Sequence, residues 1–205
     1  MKAHDELAAS DPVMAALIDR FGELTTESRR ARRPPMDAYG TLLRSVVGQQ
    51  LSAKAAYTIY GRVLELFGGS TPAPQELLDI DPRLLREAGL SGRKVEYVRD
   101  LAGHVISGEL ELDHLSELPD EEVIAEITAI RGFGVWSAQM FLIFFLGRPD
   151  VLPTGDLGIR NAVQAAYDLD EVPSPAEVER IGEPWRPHRS LASVYLWESL
   201  ANEPV

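Results

Sequence analysis

The sequence predicts an all-α protein, and three observations predict it. Apolar residues recur at helical spacing through nearly every segment. No stretch alternates apolar and polar residues between hairpin-turn residues, the pattern that a half-buried strand would leave. Glycine and proline fall between the periodic runs, where they end one helix and start the next. With 205 residues, 45% of them hydrophobic, the chain can build one substantial core or two small interlocked lobes.

The elements follow in order. Pro12 to Phe21 puts Met14, Leu17 and Phe21 on one face, with Ser10 or Asp11 as the cap. Met36 to Phe67 reads as helix with one interruption. Tyr39, Leu42, Leu43, Val46 and Val47 form the first stripe, and Gly48-Gln49-Gln50-Leu51-Ser52 breaks it. Ser52 caps the second run, through Tyr57, Tyr60, Leu64 and Phe67, which ends at Gly68-Gly69. Residues 71–110 read as short helices punctuated by Pro72, Pro74, Pro82, Gly89 and Gly92. Pro119 starts the helix that carries Val123, Ile124 and Ile127 and ends at Ile130. Another helix follows Gly134 to Leu146, Asp156 opens the next and Pro175 the one after. The last runs from near Pro187 to about Leu200. This makes about ten helices, with no internal repeat and no low-complexity linker.

Composition excludes several classes. The most apolar run, Met140 to Gly147, falls far short of the roughly 18 apolar residues that a membrane span needs. The N-terminal MKAHDELAAS has no apolar core of a signal peptide. There are no cysteines, which excludes disulfides, iron–sulfur clusters and thiolate zinc sites. A cytoplasmic location is expected, with no membrane partner. The 20 basic against 32 acidic residues give a formal charge of −12, which counts against a nucleic-acid partner. The basic residues cluster, however: Arg29, Arg30, Arg32 and Arg33 in one run, Arg93 and Lys94 in another, and Arg186, His188 and Arg189 in a third.

"EEVIAEITAIRGFGVWSAQMFLIFF" is the most informative segment. Gly132-Phe133-Gly134 permits a tight turn between two helices, because glycine accepts positive φ, and Phe133 can tuck its ring between them. The unpaired N–H groups that open the following helix suit a phosphate oxygen. A bare G-x-G is equally consistent with an ordinary αα-hairpin.

"ITAIRGFGVWSAQ" resembles the hairpin of the helix-hairpin-helix (HhH-GPD) DNA glycosylase superfamily. That family places an aspartate a little over twenty residues further on, where Asp156 stands after Pro153. "LLRSVVGQQLSAKAAYTIYGRV" is similar to the element that carries the family's DNA-intercalating wedge. "GLSGRKVEYVRDLA" and "WRPHRSLASVYLW" are similar to later elements, in the same order. Within the family the segments look closest to the 3-methyladenine DNA glycosylase II (AlkA-like) branch. The resemblance implies two interlocked helical lobes with a cleft between them, residues 36–147 forming one and residues 1–35 with 148–205 the other. It also implies a monofunctional enzyme of base excision repair, because Trp136 stands where the lyase members carry their lysine nucleophile. Arg131 departs from the usual hairpin proline, and the N-terminal β-rich domain of longer AlkA-like enzymes is not represented.

 No amine is available at that position for a Schiff base, so the resemblance is to the monofunctional members. A non-catalytic helix-hairpin-helix module and a bifunctional glycosylase/lyase acting on oxidised bases are the alternatives.

The chemistry fits these residues. Cleaving an N-glycosidic bond builds positive charge on the sugar, which a single carboxylate can stabilise while it orients or deprotonates water. An alkylated purine such as 3-methyladenine already carries positive charge, so it leaves without a dedicated acid. Asp156 is therefore expected to be both helix cap and catalyst, with the positive end of the helix favouring its anion. The target base must be flipped out of the stack. The resemblance assigns the plug to Gln50, with Leu51 as the alternative. It assigns the base pocket to Trp136 and Trp197, with Met140, Tyr39 and Phe144 nearby; aromatic walls attract a cationic base. Gly132, Phe133, Gly134 and the amide of Trp136 are the expected DNA-backbone contacts, joined by Arg93, Lys94, Arg160 and Arg189. No cofactor is expected to be required. A monovalent cation on the carbonyls of Thr128, Ile130 and Phe133 is implied as a structural bridge to phosphate. The expected partner is double-stranded DNA with alkylated bases, bound by a monomer.

Overall fold

The computed structural model of the chain describes residues 2–27 and 36–201. The run Arg29, Arg30, Arg32 and Arg33 lies outside the described residues. Among the described residues there are twelve α-helices and no strand, so the all-α expectation holds. The chain divides into two compact units: Met1–Pro34 with Leu142–Val205, and Pro35–Phe141.

The first two helices are α1 (Lys2–Ser10) and α2 (Pro12–Phe21). Asp11 between them accepts the main-chain N–H groups of Val13 at 2.7 Å and Met14 at 3.3 Å, so Asp11 rather than Ser10 is the cap. The periodicity does not announce α1, because its buried residues are only His4 and Leu7.

The continuous unit begins with α3 (Ala38–Gly48) and α4 (Ala53–Glu65). The Ser52 hydroxyl accepts the Ala55 N–H at 3.3 Å and starts α4 as expected. Two short helices, α5 (Pro74–Asp79) and α6 (Pro82–Glu87), lead to α7 (Gly92–Ser107). α7 is the spine of this unit: α3, α5 and α6 all pack on it, and it buries Val95, Val98, Leu101 and Ala102. Pro119 then holds the cap position of α8 (Asp120–Ala129), one residue ahead of the helix it was expected to start. A turn connects α8 to α9 (Val135–Phe141), which packs back on α8 and α3.

The helix after Gly134 does not run to Leu146 as an α-helix. It gives way to a π turn over Leu142–Leu146. Gly147 closes that turn at φ +69°, and the Arg148 N–H reaches back to the Leu142 carbonyl at 2.9 Å. The discontinuous unit continues with α10 (Leu157–Ala166), α11 (Pro175–Ile181) and α12 (Arg189–Ala201). Its core gathers Leu7, Met14 and Leu17 from the start of the chain with Ile159, Val163, Trp185, Tyr195 and Leu196 from the end. Asp11 is buried there as well. It also accepts the Tyr167 hydroxyl and, at 3.0 Å, the Trp185 indole N–H, so its donors are structural ones from its own unit. Among the described residues no helix is long and apolar enough to cross a membrane.

Candidate active site

Two turns in the continuous unit share one backbone pattern. In the first, the Leu51 N–H closes onto the Gly48 carbonyl at 3.2 Å. Gln49 has φ −53° and ψ 133°, and Gln50 has φ +56°. This is a type II pattern, whose third residue is normally glycine or asparagine. Gln50 occupies it at a cost of about 1–2 kcal/mol for a side-chain-bearing residue. Its side chain is exposed, and so is that of Leu51. In the second turn the Phe133 N–H closes onto the Ile130 carbonyl at 3.2 Å with Gly132 at φ +87°.

Only one of the two hairpin glycines needs its conformational freedom. Gly132 has positive φ and lies against Tyr97; a Cβ there would sit 2.2 Å from the ring. Gly134 has no positive φ, and a Cβ there would meet nothing within 4 Å among the described residues. The backbone at Gly134 is therefore open to an approaching group, whereas Gly132 is required by the fold. Phe133 is buried, as expected. The Gln49 side-chain amide donates to the Gly132 carbonyl at 2.8 Å and ties the two turns together.

Asp156 is the N-cap of α10. Its Oδ1 accepts the Ile159 N–H at 2.8 Å and the Trp197 indole N–H at 3.1 Å. Trp197 in turn stacks obliquely on Phe144, with ring centroids 5.7 Å apart and planes tilted by 36°. Phe144 projects from the π turn, a distortion that often marks functional positions. Gly158 makes this arrangement possible: a Cβ there would lie 2.9 Å from Asp156 Oδ1 and 3.4 Å from the Trp197 ring. The discontinuous unit thus brings together a half-buried carboxylate, a helix N-terminus and two aromatic rings.

The other expected residues divide between solvent and internal contacts. Trp136 is 47% exposed on the first turn of α9, and Met140 is half-buried on the same helix. Tyr39 is buried in α3, and its hydroxyl has no hydrogen-bond partner among the described residues. Burial, followed by the nearby Asp37 and Tyr60, pushes that hydroxyl's pKa far up. Arg93 is exposed. The expectation that Lys94 and Arg189 are presented to a ligand needs correction. The Lys94 ammonium donates to the carbonyls of Val47 at 2.7 Å and Gln49 at 2.8 Å, and burial lowers its pKa. Arg189 pairs with Asp150 and Glu179, both at 2.8 Å. Arg160 donates to the Pro173 carbonyl at 2.7 Å. The Arg186 and His188 side chains are paired too, with Asp150 and Glu6, each at 2.7 Å. Sequence proximity of basic residues does not reveal the acids that the fold sets against them.

Gly158, Gln49 and Tyr97 were not among the expected site residues. An isolated glycine in the first turn of a helical pattern, as in "DLGIR", is the signal that could have found Gly158, because it marks a close approach. A family model described as HhH-GPD superfamily base excision DNA repair protein matches residues 43–187. The chain belongs to this family. The matched span contains both turns and Asp156, while Tyr39 and Trp197 lie outside it. DNA-3-methyladenine glycosylase 1 of Schizosaccharomyces pombe is 34% identical over 200 residues, covering 97% of this chain and 86% of its own. The YfjP protein of Bacillus subtilis is 33% identical over 168 residues, 79% of this chain, and the match spans 58% of that relative's length. The solved structure of the S. pombe 3-methyladenine DNA glycosylase Mag1 with abasic DNA has a TM-score of 0.85 at 33% identity, covering 98% and 97% of the two chains.

Proposed function

We propose that this HhH-GPD protein is a monofunctional DNA glycosylase that releases alkylated purines such as 3-methyladenine from double-stranded DNA. The observation that carries the reading is Asp156, a carboxylate fixed at a helix N-terminus by the Ile159 amide and the Trp197 indole. The damaged base leaves with the electron pair of its N-glycosidic bond, which neutralises the base and puts positive charge on the sugar. Asp156 stabilises that charge and takes a proton from the attacking water, so that a free base and an abasic site are formed. Trp136 occupies the position of the lyase nucleophile, which leaves hydrolysis as the route.

Gln50, with Leu51 beside it, fills the space vacated by the flipped base; its exposed side chain on a left-handed residue supports this role. Trp197 and Phe144 of the discontinuous unit, and Trp136, Met140 and Tyr39 of the continuous one, are the residues assigned to contact a cationic base, which aromatic rings attract. Amides of Gly132, Gly134 and Trp136 hold phosphate, and the open side of Gly134 supports that contact. A monovalent cation fits the carbonyls of Thr128, Ile130 and Phe133. These are hard, neutral oxygen donors, Thr128 in the last turn of α8 and Ile130 and Phe133 in the turn that follows, and the Ile130 oxygen that accepts the Phe133 N–H keeps a second lone pair. When bound, it would supply positive charge that favours a phosphate. The protein acts as a cytoplasmic monomer with no cofactor in the chemical step.

Base release from methylated duplex DNA tests the reading. The wild-type protein is expected to release 3-methyladenine. Asp156→Asn keeps an acceptor for the Ile159 amide but loses the charge, and is expected to be at least about 100-fold slower. Full activity in that variant would remove Asp156 from the mechanism. A borohydride-trapped adduct would point to the lyase alternative, and inactivity of the parent to a binding module.

A further inference from the structure

We propose that Asp100 is a positioning residue for the hairpin turn, holding the Arg131 peptide so that the turn meets DNA in one preset conformation. This inference rests on the proposed reading of the turn as a phosphate contact. The turn over residues 130–133 has positive φ at Gly132 alone, which makes it type II. Type II and type I turns interconvert by rotating the central peptide, here the one joining Arg131 to Gly132. That rotation redirects the Gly132 N–H, one of the amides assigned to phosphate.

Three contacts from outside the turn oppose it. Asp100 Oδ2 accepts the Arg131 N–H at 2.8 Å. The Gln49 amide donates to the Gly132 carbonyl at 2.8 Å. Together they grip the peptides on either side of the central one. The third is the Tyr97 ring against Gly132. Tyr97 and Asp100 are three residues apart on α7, so a single helix face delivers both. The Arg131–Glu96 ion pair, at 3.6 Å between exposed groups, adds little.

Residue 131 is the second residue of a type II turn, a position that accepts proline. Ile130, with φ −80° and ψ 132°, already has the backbone that a following proline requires. Proline would fix φ by its ring and has no N–H for Asp100 to accept. Arg131→Pro therefore replaces the restraint that Asp100 supplies, which gives a specific rescue.

The experiment measures binding of a duplex carrying an abasic site and single-turnover release of 3-methyladenine at saturating enzyme. Asp100→Ala is expected to weaken binding about three- to tenfold, with a saturating rate close to the parent's. In an Arg131→Pro background the same substitution is expected to change binding less than about twofold. His104→Ala, which removes the 3.7 Å His104–Asp100 pair but leaves the Arg131 contact, is expected to bind like the parent. Equal losses in both backgrounds, a loss in His104→Ala matching that in Asp100→Ala, or no loss at all would overturn the proposal. Amide hydrogen exchange in the parent gives an answer that needs no variant to fold: the Arg131 amide should be protected, and rapid exchange would overturn the assignment. A parent that releases no base would count against the glycosylase reading, while the exchange result would still judge Asp100.

Discussion

Replacing Gly158 with alanine should separate catalysis from stability. Gly158 is the second residue of α10, where an added Cβ would lie 2.9 Å from Asp156 Oδ1, 3.4 Å from Trp197 Cδ1 and 3.5 Å from its Nε1. The carboxylate contact is about 0.5 Å short of ordinary van der Waals separation, so Asp156 must give way. Its Oδ1 is held at 2.8 Å by Ile159 and at 3.1 Å by Trp197, and a shift stretches one or both of these hydrogen bonds. Against this, alanine is favoured over glycine in a helix by up to about 1 kcal/mol. The two effects oppose each other in stability but not in catalysis. Misplacing a reacting group by about 1 Å can cost about 100-fold in rate, so about half that displacement is expected to slow base release about tenfold. The assay is single-turnover release of 3-methyladenine from methylated duplex, beside a thermal melt. The expected pair of results is a tenfold slower rate with an unchanged or slightly raised melting temperature. A parent-like rate would refute the claim that this contact sets the carboxylate, and a matched fall in melting temperature would assign the loss to folding.

Three further outcomes are expected. Trp197→Phe keeps a ring beside Phe144 but removes the donor to Asp156, so kcat should fall about tenfold while KM for duplex changes little. Gln50→Gly relieves left-handed strain of about 1–2 kcal/mol, offset by glycine's larger unfolded-state entropy, so the melting temperature should hold or rise. Base release from paired duplex should nevertheless fall in that variant, and fall less when the damaged base lies opposite a mismatch, where flipping is cheaper. Duplex affinity should depend weakly on salt, with a log–log slope no steeper than about −3, because Lys94, Arg160 and Arg189, three of the four cations expected at phosphate, are engaged by internal partners; a steeper slope would assign the excess to other cations, such as the Arg29–Arg33 run.

The helices were legible because burial repeats at helical spacing, and the caps because Ser52 and Asp156 stand immediately before such runs. Local signals of this kind survive in sequence. Asp156 could be singled out as a candidate, but its Trp197 partner is 41 residues away in the chain, and no local pattern encodes that hydrogen bond. α1 stayed hidden because two buried side chains are too few to show a period. The π turn stayed hidden because Phe141 to Leu146 is apolar on every side and fits an α-helix equally well. The hairpin glycines looked equivalent in sequence. The Tyr97 ring, from a helix more than thirty residues earlier, and the Gln49 amide give Gly132 a role different from that of Gly134.

The charge of −12 looked like an argument against DNA, and the basic clusters like an argument for it. Neither argument survives the geometry in its simple form. Arg186 and Arg189 neutralise Asp150 and Glu179, His188 bonds to Glu6, and Lys94 serves the carbonyls of the Gly48–Leu51 turn. These cations hold the fold together. A site that holds phosphate through main-chain N–H groups needs a fixed backbone more than it needs net charge. The structure supplies that requirement through Gln49, Tyr97 and Asp100, which clamp the hairpin turn, and through an open approach at Gly134. Under the proposed function, specificity for damage resides in the chemistry of base release at Asp156 rather than in strong attachment to DNA, because affinity that is equal for damaged and undamaged duplex adds nothing to selection between them.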